Sequence, residues 1–436
     1  MNADKPIFKR KLFAFHDACF YCMDMRDAAS LWFYAAPLHW RSDVDREQIM
    51  NWLMSTLKRF AGGVIFSIAT LWCQGAQSED AAVVRIGFAA PLTGPSAADG
   101  KEMKNAARLA IEDANARHPK IGERTVSFEL APLDDQADPR VASQVAQRFV
   151  DMSVAGVVGH FNSGCSIAAS NVYDDAQIAQ VSPSSTSAIY TLRGKKSSFR
   201  VVGQDAVAGA ELGRYLVEDF QARRVAIVDD RTDFGAGLAD RVSDFIAQRH
   251  VAIVAREYVT DKTVDFSAIL TRIRSQNADL VVFGGFDAQA AQIVRRMRSA
   301  GMKATLAGEG FNNAIFLNLA RGDGEGTVTI QPGLPLNRMP AKDFASRYEA
   351  RYKAKLEGFQ APYAYDATSV IVQAVLAAQS ARAVDVLQAV RKTNMDGLTG
   401  PIAFDKNGDL AAAPYTIYRL TGGRWTDKKV SVAHGE

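Results

Sequence analysis

The chain has 436 residues, 48% of them hydrophobic and 23% charged, with a formal net charge of +3. Such a composition builds buried cores and excludes an intrinsically disordered chain, and the length leaves room for two or three domains. A charge this small, spread along the whole chain, recruits neither nucleic acid nor anionic lipid.

Residues 1–49 are rich in aromatics and carry no sustained period. Cys19-Phe-Tyr-Cys22 lies there with zinc or redox spacing, but no second pair or histidine-rich stretch follows, so neither metal nor cofactor is expected. From Met50 the pattern changes. Lys58 and Arg59 precede the apolar run Phe60–Cys73, and Ala76-Gln77-Ser78 puts small residues at both positions that set signal cleavage. The reading is an extension upstream of the biological start over 1–49, a signal peptide over 50–78 and a periplasmic mature chain, with lipidation at Cys73 as the alternative. The apolar run is too short to span a bilayer well. Cleavage would leave Cys165 as the one cysteine, hence no intramolecular disulfide.

From residue 83 short β-branched runs alternate with helical periods. The predicted elements are a strand at 83–89, a helix at 97–117, a strand at 125–130, a helix at 140–152, a strand at 155–158, a helix at 167–175 and a strand at 178–181. A second series follows Gly203: helix 207–220, strand 224–228, helix 237–248, strand 252–258, helix 266–275, strand 280–283, helix 288–300 and strand 305–307. Helices at 341–356 and 363–380 and late strands at 398–404 and 415–420 complete the chain. This βαβ order predicts an α/β protein of two doubly wound, Rossmann-like lobes. In such sheets the ligand sits at the carboxyl ends of the strands, in the loops that lead into helices.

Those loops are LTGPSAADG (92–100), GHFNSGCS (159–166), SPSSTSAIYT (182–191), DDRTDFGAG (229–237), GGFDAQ (284–289) and GEGFNN (308–313). They are rich in hydroxyls and backbone N–H groups, which suits a small zwitterion. No G-x-G-x-x-G or G-x-x-x-x-G-K-[ST] phosphate loop follows a strand, and the G-x-S-x-G elbow of hydrolases is absent. His160 and Cys165 offer a base and a nucleophile, the thiol lowered by a helix start; the alternative is that both are buried support. Ser163 can cap the following helix, and with Ser184 and Thr186 of the next loop it makes a cradle for an anion. Glu309, flanked by Gly308 and Gly310, is a natural partner for an ammonium group; the alternative is a solvated loop acid. Phe234 and Phe286 either cover a ligand or pack in the core.

IGFAAPLTGPSAADGKEMKNAARLAIEDANA, LDDQADPRVASQVAQRFV, VVGHFNSGCSIAASNVYDDAQIAQVSPSSTSAIYT, VAIVDDRTDFGAGLAD, DFSAILTRIRSQNADLVVFGGF and YDATSVIVQAV, taken in order over 83–421, resemble the periplasmic branched-chain amino-acid binding proteins. The resemblance implies a type I periplasmic binding fold with a hinge near residues 203, 331 and 405 and a central cleft. One lobe would comprise 79–203 with 333–405, the other 204–332 with 406–425. It further implies that Ser163, Ser184 and Thr186 hold a ligand carboxylate and that Glu309 holds its ammonium group. The expected partners are a small-molecule ligand, an amino acid or related carboxylate, and the permease of an ABC importer, with the binding protein a monomer. A sensor that signals to a separate partner is the alternative within the same fold, and a Cys/His enzyme the alternative outside it.

Several positions depart from the family pattern. Phe234 and Phe286 each stand where a tyrosine is usual, so the ring stays and the hydroxyl is lost. Asp99 replaces an aromatic that covers the ligand side chain, and Ala361 falls near another; Tyr363 could supply a replacement ring at the cleft edge. The family's small-loop disulfide falls near Ala137 and Asn162, so both halves are missing. The changed aromatic positions count against leucine, isoleucine and valine; an acid with a missing aromatic suits a larger, polar or cationic side chain, the alternative being that Asp99 points to water.

Overall fold

The computed structural model describes Asn51 and residues 81–434. Apart from Asn51, the extension and the export segment read over 1–78 lie outside the described residues. The first lobe is built around β1 (Ala82–Ala90), whose AVVRIGFAA alternation becomes continuous burial towards its carboxyl end. Helix α1 (Ala97–Asn115), the short β2 (Lys120–Ile121) and β3 (Arg124–Asp134) follow, and then α2 (Pro139–Asp151). The start of α2 follows from its sequence: Asp138 accepts the N–H of Arg140 at 2.7 Å, and Pro139 sits where no N–H is needed. The three-residue strands β4 (Val157–Gly159), β5 (Gln180–Ser182) and β6 (Ser198–Arg200) alternate with α3 (Ser163–Asp175) and the single turn α4 (Ile189–Leu192). The sheet order is β2-β3-β1-β4-β5-β6, parallel except for the β2–β3 hairpin.

In the second lobe α5 (Asp205–Arg214) runs into a π-helical turn at Tyr215–Asp219. After it come β7 (Arg224–Asp229), α6 (Asp233–Gln248), β8 (Ala252–Tyr258), α7 (Ser267–Ser275), β9 (Leu280–Gly284), α8 (Asp287–Ser299), β10 (Thr305–Glu309), α9 (Ala314–Ala320) and β11 (Val328–Pro332). The chain then returns to the first lobe as α10 (Phe344–Tyr352), α11 (Gln360–Ala378) and α12 (Ala383–Val390), with α11 packed along α1 in the first-lobe core. A small hairpin, β12 (Asn394–Asp396) with β13 (Pro401–Ala403), precedes β14 (Ala412–Thr421) and β15 (Arg424–His434). The second sheet has the order β15-β14-β11-β10-β9-β7-β8. Its last two strands are antiparallel, a feature the βαβ reading does not contain, and they carry the sheet past residue 425 to His434.

Three segments cross between the sheets and are bonded to one another. The Tyr415 hydroxyl accepts the N–H of Gln204 at 2.7 Å and donates to its carbonyl at 3.1 Å. Gly333 N–H donates to the Pro414 carbonyl at 2.7 Å, while the Thr416 hydroxyl donates to the Gly333 carbonyl at 2.7 Å. Gly333 has φ +108, and a Cβ there would lie 1.9 Å from the Tyr363 hydroxyl, so only glycine fits. These bonds fix where the two lobes meet, next to the expected hinge positions.

Candidate functional site

Loops from both sheets and the start of α11 enclose a cleft of ≈ 590 Å³, part of it open to solvent. From the first lobe come Ser163, Ser184 and Thr186, and from the first turn of α1 comes Asp99. The second lobe supplies Phe234, Phe286 and Glu309. All were read from the sequence as candidates, and all line the cleft.

The two first-lobe loops are tied together by hydroxyls and not by side chains of opposite charge. Ser187 N–H donates to Ser163 Oγ at 3.3 Å, and Ser166 Oγ lies 2.6 Å from Ser185 Oγ. Ser182 Oγ donates to the His160 carbonyl at 3.0 Å and accepts the Ser185 N–H at 2.9 Å. Behind the second loop stands Arg200, fully buried, whose guanidinium donates to the carbonyls of Ser185 and Ser187 at 2.7 and 2.9 Å. The loop backbone is thereby held from behind, with Ser184 and Thr186 on the cleft wall.

The capping role read for Ser163 does not hold. Asn162 is the N-cap of α3, without a side-chain capping bond, and Ser163 is the first helical residue. The helix thus starts four residues earlier than the periodicity suggested, because Ser163-Gly164 carries no apolar stripe to reveal it.

His160 and Cys165 are not part of the cleft lining. His160 is fully buried, with Nδ1 2.7 Å from Asp135 Oδ2 and Nε2 3.2 Å from the Tyr173 hydroxyl. Cys165 packs in the core between the sheet, α2 and α3. Burial, reinforced by the charges of Asp135, Asp138 and Asp233, pushes its thiol well up, contrary to the lowering a helix start alone would give.

On the second lobe, Glu309 ends β10 and is 4% exposed, and its Oε2 has no hydrogen-bond partner among the described residues. Burial drives its carboxyl well above the ordinary range, and the charge of Asp205 adds to the effect. Asp205, the first residue of α5, is likewise buried, and burial raises its carboxyl too; the Thr186 hydroxyl and the Arg200 charge are near enough to oppose this without making a hydrogen bond of good geometry. Its N–H donates across the lobes to the Thr186 carbonyl at 2.8 Å.

Three rings cross the cleft in a row. Phe161 of the first lobe stacks on Phe286 at 6.5 Å and 24°, and Phe286 meets Phe234 at 5.5 Å and 45°. Phe161, Asp287, Asn313, Phe359 and Gln360 line the cleft although the sequence reading did not single them out. Asp287 and Asn313 sit in loops that were identified, and their signal was a polar side chain where the next helix begins. Phe359 and Gln360 were hidden by Pro362, which looks like a helix breaker but falls within the first turn of α11 and is tolerated there.

Tyr363 is a correction. It is 3% exposed, donates to the Pro332 carbonyl at 3.3 Å and packs edge-on against Phe359 at 6.1 Å. The ring at the cleft edge is Phe359, and Tyr363 braces the crossing segment behind it.

A family model described as periplasmic binding protein matches residues 83–424. The leucine-specific-binding protein of Salmonella typhimurium is 31% identical over 368 residues, covering 83% of this chain and 97% of that protein. The Leu/Ile/Val-binding protein homolog 2 of Brucella abortus is 30% identical over 343 residues, 78% of this chain and 91% of the relative. The chain belongs to the periplasmic binding protein family. Among solved structures, a leucine binding protein from Thermotoga maritima aligns with a TM-score of 0.73 at 24% identity, covering 80% of this chain and 98% of that one. For this periplasmic binding protein the two-lobe fold and the family read from the loops are therefore both borne out.

Partly and fully buried acids give the ligand-free protein a testable pH response. Asp99 and Glu102 are held up at about 7, by burial first, with further repulsion on Asp99 from Asp287, Glu102 and Glu357. Asp230 and Asp366 are held at about 6, again by burial first. Each folded-state value lies above the unfolded one, so the folded chain binds more protons and these groups make stability fall as pH rises from about 4 through about 7. The ligand-free protein should melt at a higher temperature at about pH 5 than at about pH 8 in scanning calorimetry. A melting temperature that rises across that interval would show that these acids do not govern the response.

Proposed function

We propose that this binding protein captures an α-amino acid in the cleft and delivers it to the permease of an ABC importer, without chemical change to the ligand. The carboxylate would dock on the hydroxyls and N–H groups of Ser163, Ser184 and Thr186, and the ammonium group on Glu309. The observation that carries this is Glu309, a buried acid in the cleft wall with, among the described residues, an unpartnered oxygen and no basic side chain lining the cleft. Buried charges persist when a partner of opposite sign completes them, and an ammonium group is that partner.

Closure follows from the same geometry. A ligand that touches both lobes favours the closed form, whereas one that touches a single lobe shifts nothing. The export signal read over 50–78 would place this capture outside the cytoplasmic membrane, which fractionation of expressing cells checks. The deciding experiment is a thermal-shift screen of the purified protein against amino acids and small carboxylates, where a ligand at about 100 times its Kd stabilises by about 2.7 kcal/mol. Hits confined to carboxylates that lack an amino group would overturn the role of Glu309.

A further inference from the structure

The charge balance of the cleft goes further than the family resemblance does. Among the described residues three carboxyl groups, those of Asp99, Asp287 and Glu309, line it, and no Lys, Arg or His does. A single ammonium group on the ligand answers one of them. Asp99 and Asp287 stand on different lobes, the first in the opening turn of α1 and the second at the start of α8. The two are close enough for the charge of Asp287 to raise the carboxyl of Asp99.

Two of the neighbouring acids already have partners. Glu102 accepts the N–H groups of Glu357 and Gly358 at 2.9 and 3.1 Å, and Asp287 Oδ2 accepts one bond from Asn313 at 2.6 Å. Asp99 accepts no hydrogen bond from another side chain among the described residues. Oxygens nonetheless converge beside it: a Cβ built on Gly358 would meet Gln360 Oε1 at 2.9 Å, Glu102 Oε1 at 3.2 Å and Asp99 Oδ1 at 3.4 Å.

The cleft also continues outward. A second cavity of ≈ 860 Å³ shares Asp99 and Asn313 with it and is lined by Glu102 and Glu357, with Lys101 and Lys355 also on its wall. A long side chain can run from the ammonium site past Phe286 towards this mouth, where three acids face two lysines.

We propose that the ligand is an amino acid with a second positive charge at the end of a long side chain, of the arginine, lysine or ornithine class, held between Asp99 and Asp287. This rests on the amino-acid reading above. Both acids then contact the ligand from different lobes, so its side chain as well as its head favours closure. The rings of Phe234 and Phe286 flank the aliphatic stem, and their missing hydroxyls remove hydrogen-bond donors from a site that is already short of positive charge.

The experiment is titration calorimetry of the purified protein with arginine, lysine, ornithine, leucine and benzoate at neutral pH. A basic amino acid should bind at least about tenfold tighter than leucine. Asp287→Asn and, separately, Asp99→Asn should each cut that preference about tenfold, with melting curves confirming that each variant is folded. Leucine binding as tightly as the basic amino acids, or a preference unchanged in both folded variants, overturns the proposal while leaving the amino-acid reading in place. Binding of benzoate with no amino acid bound overturns both.

Discussion

Glu309→Gln should abolish most amino-acid binding and, in the same protein without ligand, raise the melting temperature. Truncating one partner of a buried charge pair costs about 2–5 kcal/mol, which is a loss of affinity from about 30-fold to several thousand-fold. The opposite sign for the free protein comes from the same surroundings. Glu309 is buried, one of its oxygens is unpartnered, and Asp205 adds repulsion, so a neutral amide of the same shape removes a charge that the fold does not compensate. Because its carboxyl titrates well above the usual range, the gain in stability should grow as pH is raised and vanish where Glu309 is protonated in the folded protein. A Gln variant that binds amino acids within about threefold of the wild type would place the ammonium group elsewhere. A variant whose melting temperature falls at all pH values would show that the acid is satisfied in a way the geometry does not reveal.

What could be read from the chain without coordinates follows the physics of each signal. The buried parallel strands VVRIGFA and RVAIV announce themselves by short, largely apolar runs rich in valine and isoleucine, and they land at β1 and β7. Strands of three residues such as Ser198–Arg200 have no period to detect, and β15 at the sheet edge carries Asp427, Lys428 and Lys429 in succession, which breaks any apolar alternation. The predicted helix at 341–356 is cut to Phe344–Tyr352 because Lys353 turns left-handed at φ 56. At the site, residues in strand-to-helix loops were legible because such loops face the cleft by topology. Asp205 and Phe161 were not, since their effect depends on which lobe lies across from them. Tyr363 was misplaced for the same reason: one turn of helix separates a cleft residue such as Phe359 from one that braces the crossing segment.

Arg200→Met should destabilise the protein by about 3–5 kcal/mol, the cost of leaving a buried partner charge uncompensated. The methionine fills similar space but donates nothing. Arg200 Nε lies 2.6 Å from Asp409 Oδ1, and Asp409 is 4% exposed, helped otherwise by Thr191 Oγ1 at 2.9 Å and Gln204 Nε2 at 3.3 Å. The remaining guanidinium donors hold the carbonyls of Ser185 and Ser187 and the Thr191 hydroxyl. Two consequences can be separated with a second substitution. Arg200→Met combined with Asp409→Leu removes both charges of the pair, so chemical denaturation should recover much of the lost stability. Ligand affinity should stay impaired in the same double variant, because the loop that carries Ser184 and Thr186 still lacks its support from behind. Equal instability of the single and double variants would mean that the stranded carboxylate is not the source of the loss. Normal affinity in the double variant would mean that the loop holds its shape through the serine contacts alone.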